Sequence, residues 1–326
     1  MASKLTYRLK EEDLIHNIRM VLKLRLGCST RLLREARDKG DITLNGEHVR
    51  LVDKGKAGDL IEVILPEEKP EALPEAIPLD VVYEDGDFLV LNKQPGLPVH
   101  PSKGHPFGTI LNGVVHYMQQ KGEEYLPRMV NRLDLDTSGL LVVGKNAYVQ
   151  EDFAKQAAKG NTRKTYFAVT EGIPEPLEGI VDRPIGQPDP ENVQRAVCED
   201  GAEARTRYQV LETFRLPAAE ENDRAEGENG GSTAAAPHVK EYALVELQLE
   251  TGRTHQIRVH MASIGCPLVG DALYGKAAPD LMGRQALHSA RLAFRQPVTG
   301  RQLELSAPLP PDLAALLQTL RQGAQK

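Results

Sequence analysis

No apolar run in this 326-residue sequence approaches the roughly 20 residues that a helix needs to cross a bilayer, which excludes a helical membrane span. Cysteine is scarce: Cys28, Cys198 and Cys266 are all there is, and they lie far apart. That excludes a disulfide framework and a zinc knuckle, and it fits a reducing compartment. The stretch MASKLTYRLKEED has neither the apolar core nor the small-residue cleavage site of a secretory signal, so a cytoplasmic protein without a membrane partner is expected. Net positive charge is also lacking, and the formal total of −6, taken alone, argues against a nucleic-acid partner.

The charge is, however, unevenly spread. Residues 1–66 carry thirteen Lys/Arg against ten Asp/Glu, whereas residues 217–237, PAAEENDRAEGENGGSTAAAP, hold five acids and one arginine. The second stretch has no apolar period and is expected to be a solvated, mobile insertion that says little about a binding face. What matters for an RNA reader is a local basic stripe.

Such a stripe is present. CSTRLLREARDKG opens with Ser29 as a helix N-cap, places Leu32, Leu33 and Ala36 on one face, and stops at Gly40. Arg31, Arg34 and Arg37 recur every third residue and share another face. Two apolar-alternating segments follow, DITLNGEHVR and GDLIEVILP, marked by the turn signals Asn45-Gly46 and Gly58-Asp59. A solvated helix face is the plain reading of the arginines. The order of parts resembles the small RNA-binding domain first described in a ribosomal small-subunit protein, whose helix face and following turn contact folded RNA. Residues 1–66 are therefore expected to form a small α/β RNA-binding domain. The Pro/Glu-rich segment 67–78 is expected to be a linker, and 79–326 a second, larger domain.

In that larger part, strands are predicted at Leu79–Tyr83, Phe88–Asn92, Leu140–Gly144, Lys164–Thr170, Arg205–Glu212 and Tyr242–Glu250. Helices are predicted near Gly108–Gln119, Ala147–Lys159, Thr254–Ser263 and Asp312–Arg321. Strands outnumber helices and the alternation of a doubly wound sheet is missing, so the expected class is α+β, with a mixed or antiparallel sheet flanked by helices. The acidic insertion would join two adjacent strands.

The chemistry gathers at NRLDLDTSGLLVVGKN, residues 131–146. Here Asp134 sits between leucines, and Gly139 lets the backbone turn tightly into an apolar strand. A half-buried carboxylate is costly unless a cation meets it. TGRTHQIRVHMASIG supplies candidates, with Arg253, His255, Arg258 and His260 close together. An arginine held against the carboxylate would keep it ionised and aimed, as a nucleophile or base requires.

RLDLDTSGLL, RKTYFAVTEG, TGRTHQIRVHMASIGCPLVGDALYG and LNKQPGLPVHPS, in that set, resemble the signature blocks of the RluA-type pseudouridine synthases, the class that includes large-subunit rRNA modifiers. The resemblance spans about residues 79–309. It implies the mixed-sheet catalytic fold, cofactor-free isomerisation of uridine to pseudouridine in rRNA or tRNA, no metal, and an essential aspartate. Position by position it makes Asp134 the catalytic group. It makes Tyr166 the active-site tyrosine that stacks on the base and assists proton removal at carbon 5, and Arg258 the arginine that pairs with the aspartate. Arg132 fills the space vacated by the flipped uridine, and the segments around Lys93, Gly96 and His100 line the cleft. Lys93 and Arg253 are taken as RNA contacts with Arg31, Arg34 and Arg37. Many members carry histidine where this chain has Asn131, which concerns RNA contact and not the nucleophile. A monomer is expected.

Plainer readings stand beside these. Asp134 could be a structural ion pair, Tyr166 a core aromatic, Lys93 a turn lysine and Arg253 a solvated helix start. His255, His260 and Cys266 could be taken for zinc ligands, although their spacing fits no usual site. The whole chain could be a non-catalytic RNA-binding or ribosome-assembly protein.

Overall fold

The computed structural model describes residues 4–39, 41–65, 70, 72–101, 106–189, 191–217 and 239–324. The chain divides into two compact units: the first takes 1–135, 140–162 and 293–305, the second 136–139, 163–292 and 306–326.

The first unit begins with β1 (Lys4–Arg8), α1 (Ile18–Arg25), α2 (Thr30–Lys39), β2 (Ile42–Leu44), β3 (Glu47–His48) and β4 (Leu60–Ile64). The four strands form an antiparallel sheet in the order β1-β4-β2-β3. Asn45 and Gly46 both have positive φ, 52° and 86°, the backbone that a two-residue hairpin needs, and this is why the Asn-Gly signal was readable. Ser29 caps α2 through its hydroxyl, which accepts from the Leu32 amide at 3.2 Å. Leu32, Leu33 and Ala36 are buried, while Arg31, Arg34 and Arg37 are exposed. The helix stop expected at Gly40 lies outside the described residues.

The Pro/Glu-rich segment is tied down over its second half. Glu75 accepts from the Gly108 amide at 2.6 Å, and Asn112 donates to the Leu73 carbonyl at 2.8 Å. The division between the compact units does not fall at this segment.

The unit continues with β5 (Val81–Glu84), β6 (Phe88–Lys93), α3 (Ile110–Gln120), β7 (Arg128–Met129), β8 (Ser138–Gly144) and α4 (Ala147–Ala158). Asp85 makes the β5–β6 turn by accepting from the amides of Asp87 and Phe88 at 2.8 and 2.7 Å. Phe88 and Phe153 each meet Phe294 edge-on at 5.1 Å between ring centroids, within a core that also buries Leu140 to Val143.

A charged network braces this unit. Glu84 accepts from Lys121 at 2.5 Å, from Lys145 at 2.8 Å and from the Tyr117 hydroxyl at 2.8 Å. Burial alone would raise the Glu84 carboxyl, but these three donors overcome it and bring it down to about 2 from an ordinary 4.5. A depressed folded-state value adds stability that is present above the unfolded value and lost as pH falls through the folded one. The Tm difference between the wild type and Glu84→Gln is therefore expected to be full at pH 7 and to shrink from about pH 4.5 down towards pH 2. Thermal unfolding of both proteins across that range checks it, and a pH-independent difference would refute it.

The second unit holds β9 (Arg163–Glu171), β10 (Glu178–Asp182), β11 (Ile185–Gly186), β12 (Ala196–Val197), β13 (Arg205–Pro217), β14 (Val239–Leu249), α5 (Gln256–Ser263), most of β15 (Leu287–Arg295) and α6 (Pro311–Gly323), while the last three residues of β15 and all but Ser306 of β16 (Gln302–Ser306) belong to the first. Strands β10, β13, β14 and β9 run antiparallel in that order. Pairing of β13 with β14 extends to Pro217 opposite Val239, so the acidic stretch does join two adjacent strands, although residues 218–238 themselves lie outside the described residues. Helix α6 buries Leu313, Leu316, Leu317 and Leu320 against Val169, Phe214 and Tyr242.

β15 is parallel to β8, with His288 opposite Ser138 and Ser289 opposite Gly139. Sheet pairing is thus mixed, as the α+β reading expected. Gly139 has φ 106°, and a Cβ on it would collide with the Ser289 carbonyl, so only glycine fits this crossing. Among the described residues no helix is long and apolar enough to cross a membrane.

Candidate active site

Asp134 lies in the first unit, in a half-buried turn between the buried Leu133 and the exposed Leu135. The turn is held through its backbone. Lys93 Nζ donates to the Leu135 carbonyl at 2.7 Å and to the Gln94 carbonyl at 2.9 Å. The Gly96 amide donates to the same Leu135 oxygen at 3.1 Å, so the segment NKQPG clamps the residue next to Asp134. Lys93 is only 1% exposed, which corrects its expected role as an RNA contact. Its ammonium is spent inside the protein, where no phosphate backbone reaches it.

Before the turn, Asn131 acts as a backbone mimic: it donates to the Leu140 carbonyl at 3.1 Å and accepts from the Val142 amide at 2.7 Å. Asn131 thus holds the Asp134 segment to β8, a structural task that the reading of it as an RNA-contact position had not foreseen. Arg132 is exposed and neighbours His100, whose imidazole is held below its ordinary value by desolvation and then by the Arg132 charge, although the ring reaches the surface.

After the turn, the carbonyl of Asp136, in the second unit, accepts from Arg284 Nη1 at 2.8 Å. Arg284 is itself fixed by Asp312 through Nε at 2.7 Å and Nη2 at 3.0 Å. The carbonyls of two successive residues, Leu135 and Asp136, are each gripped by a buried cation.

The other expected site residues belong to the second unit. Tyr166 stands on β9 opposite Leu247 and is 5% exposed. Arg258, on α5, is gripped by Asp271 in a two-pronged pair, Nε to Oδ2 at 2.7 Å and Nη2 to Oδ1 at 2.8 Å. Its guanidinium carbon lies 5.0 Å from the centroid of the Tyr274 ring. The Tyr274 hydroxyl in turn is 2.7 Å from His255 Nδ1, at the left-handed residue (φ 56°) that starts α5.

Gln256 latches this helix start to β13 by donating to the Arg205 carbonyl and Thr206 hydroxyl, both at 3.0 Å. It also accepts from the Arg253 amide at 2.9 Å. Arg253 itself is exposed, with Nε donating to the Glu203 carbonyl at 2.9 Å.

Asp271 and Arg284 were missed by the sequence reading. Asp271 falls within the block PLVGDALYG, yet nothing in its spacing says which cation it serves. The zinc alternative finds no support. His260 is buried with its nitrogens 2.8 Å from the Thr206 hydroxyl and 2.9 Å from the Arg183 carbonyl, and burial lowers its imidazole. Burial also raises the Cys266 thiol. Among the described residues no cluster of three or more His, Cys, Asp or Glu could hold a metal ion.

Comparison with known proteins gives this geometry a context. The model of the RNA pseudouridylate synthase family matches residues 87–263, which include Lys93, Asp134, Tyr166 and Arg258. An RNA pseudouridine synthase of Bacillus subtilis, YjbO, is 40% identical over 296 residues, covering 90% of this chain and 95% of that protein. Ribosomal large subunit pseudouridine synthase D of Vibrio vulnificus is 35% identical over 339 residues, 99% of this chain and 96% of the other. Among solved structures, human RNA pseudouridylate synthase domain containing 1 superposes with a TM-score of 0.55 at 25% identity, covering 77% of this chain and 96% of that one. With more than half of the chain matched and relatives of this identity along nearly its whole length, the chain belongs to the RNA pseudouridylate synthase family and isomerises uridine in RNA to pseudouridine.

Proposed function

We propose that Asp134 opens the glycosidic bond of a flipped-out uridine, and that this uridine lies in large-subunit ribosomal RNA. The observation that carries the first part is the clamped turn: Lys93 and Gly96 hold the Leu135 carbonyl and so fix the backbone beside the carboxylate. The second part rests on the relatives named ribosomal large subunit pseudouridine synthase D, from Nitrosomonas europaea at 40% identity and from Vibrio vulnificus at 35%.

A stacked nucleobase hides its glycosidic bond, so the uridine must leave the helix before reaction. Asp134 then attacks carbon 1′, or removes the proton at carbon 2′ to leave a glycal, and the bond to nitrogen 1 breaks. The uracil rotates and rejoins carbon 1′ through its carbon 5, displacing the Asp134 carboxylate in the first route or, in the second, with Asp134 returning the proton to carbon 2′, and loss of the carbon 5 proton restores the aromatic ring. Atoms and electrons balance without an oxidant or reductant. Tyr166 is assigned base stacking and help with the carbon 5 proton. Arg258, with its guanidinium fork aligned by Asp271, is assigned the charge partner's role. Arg132 is assigned the gap left by the flipped base. Arg31, Arg34, Arg37 and Arg253 are assigned phosphate contacts. Arg37 is the weakest of these, since it already pairs with Asp38 at 2.5 Å.

Tritium release from uracil labelled at carbon 5 tests the substrate. Purified 23S-type rRNA and bulk tRNA from a strain lacking this gene are compared, and release is expected from the rRNA. Release from tRNA alone would overturn the rRNA assignment.

A further inference from the structure

We infer that the first unit carries a second RNA-phosphate site, a cationic cleft between the α1–α2 junction and α4, separate from both the Asp134 turn and the Arg31/Arg34/Arg37 face of α2. The inference rests on RNA being the substrate, which family membership supplies. The cleft has a volume of about 900 Å³, and Lys23, Arg25, Lys155, Lys159 and Arg295 all line it. Asp152 is the sole carboxylate in that lining. For a chain whose formal charge is −6, this is a marked local excess of positive charge.

The cations are not equivalent. Arg25 is already engaged by Asp13 and Glu12, both at 2.7 Å. Lys155 donates to the Gly27 carbonyl at 2.9 Å and lies 3.2 Å from Glu151. Lys23 and Lys159, unlike Arg25 and Lys155, make no ion pair among the described residues. Lys159 is exposed and Lys23 half-buried, so both charges are open to a ligand.

The N-terminus of α2 adds a second contribution of the same sign. Ser29 and Thr30 line the cleft, so the positive end of a ten-residue helix opens onto it. The floor between these elements is fixed: the Tyr148 hydroxyl donates to the Leu26 carbonyl at 2.7 Å, beside the Lys155 bond to Gly27. The lining is charged and polar rather than apolar and aromatic, which suits a hydrated polyanion better than a small organic ligand. A phosphodiester backbone is such a polyanion. Contacts of this kind position an RNA without reading its bases.

The test is the double reversal Lys23→Glu/Lys159→Glu in the full chain, compared with the wild type and with Lys23→Arg/Lys159→Arg. Filter binding of the substrate RNA is measured from 50 to 300 mM salt, with tritium release at saturating RNA alongside. The reversal is expected to weaken binding about tenfold near 0.15 M salt and to flatten the slope of log K against log salt by about 2. The arginine variant should bind like the wild type, and kcat should be unchanged in all three. Unchanged affinity and slope in the reversal would overturn the site, as would a loss of kcat without a change in binding. If the reversal lowers Tm, Lys23→Gln/Lys159→Gln replaces it, with a smaller flattening expected. Binding is read directly, so a wild type that releases no tritium from rRNA would refute the rRNA assignment while leaving the cleft measurable on any RNA the protein binds.

Discussion

Asp134→Asn is expected to lower tritium release by about a thousandfold or more while leaving RNA affinity within about threefold. The substitution is nearly isosteric, and the backbone of the turn is held by groups outside the carboxylate. Its anchors are the Lys93 and Gly96 bonds to the Leu135 carbonyl and the Asn131 bonds to Leu140 and Val142. What the amide removes is the charge and basicity needed to attack carbon 1′ or to take the carbon 2′ proton. Single-turnover release and filter binding on the same RNA separate the two effects. Activity retained within tenfold would remove Asp134 from the chemistry. A parallel collapse of binding and Tm would instead make it a structural carboxylate.

The largest expected loss of stability comes from Asp271→Ala. Asp271 is wholly buried, meets Arg258 through both oxygens, and also accepts from the amides of Leu273 and Tyr274 at 3.1 and 3.2 Å. Removing it leaves a buried guanidinium and two backbone donors short of a partner, a cost of about 3–5 kcal/mol. That corresponds to a fall in Tm of about 4–7 °C for a chain of this size. Removing both charges with Asp271→Ala/Arg258→Met should cost less than Asp271→Ala alone, because no buried charge is then stranded. Urea unfolding of the two single variants and the double variant closes this cycle. A simple sum of single effects would show that the pair is not coupled. Activity should fall in all of them, since Arg258 loses either its charge or its alignment.

Much of this protein was determined by its sequence alone, wherever the information is local. Ser29 before an amphipathic run makes a capped helix because its hydroxyl meets an amide three residues on, and Asn45-Gly46 makes a hairpin because those residues tolerate positive φ. The alternation of apolar residues marked β6, β8, β9, β13 and β14. The block RLDLDTSGLL singled out Asp134, and the strand entry requires Gly139, whose absent side chain leaves room for the Ser289 carbonyl.

What the tertiary structure decided is wherever the partner is remote. LHSARLAFR is rich in good helix formers and gave no strand signal, yet it becomes β15 because a parallel neighbour, β8, offers its edge. Lys93 in NKQPG has the look of an exposed turn lysine until folding brings the Leu135 carbonyl to its ammonium. Asp271 could have served any cation, and only the packing of α5 gives it Arg258. Lys23 and Lys159, far apart along the chain, face one cleft only after α1 and α4 come together. Local pattern sets backbone preference over a few residues. Where a buried or concentrated charge finds its counterpart is set by the neighbours that the whole fold supplies, because Coulomb and desolvation terms depend on distance in space and not along the chain.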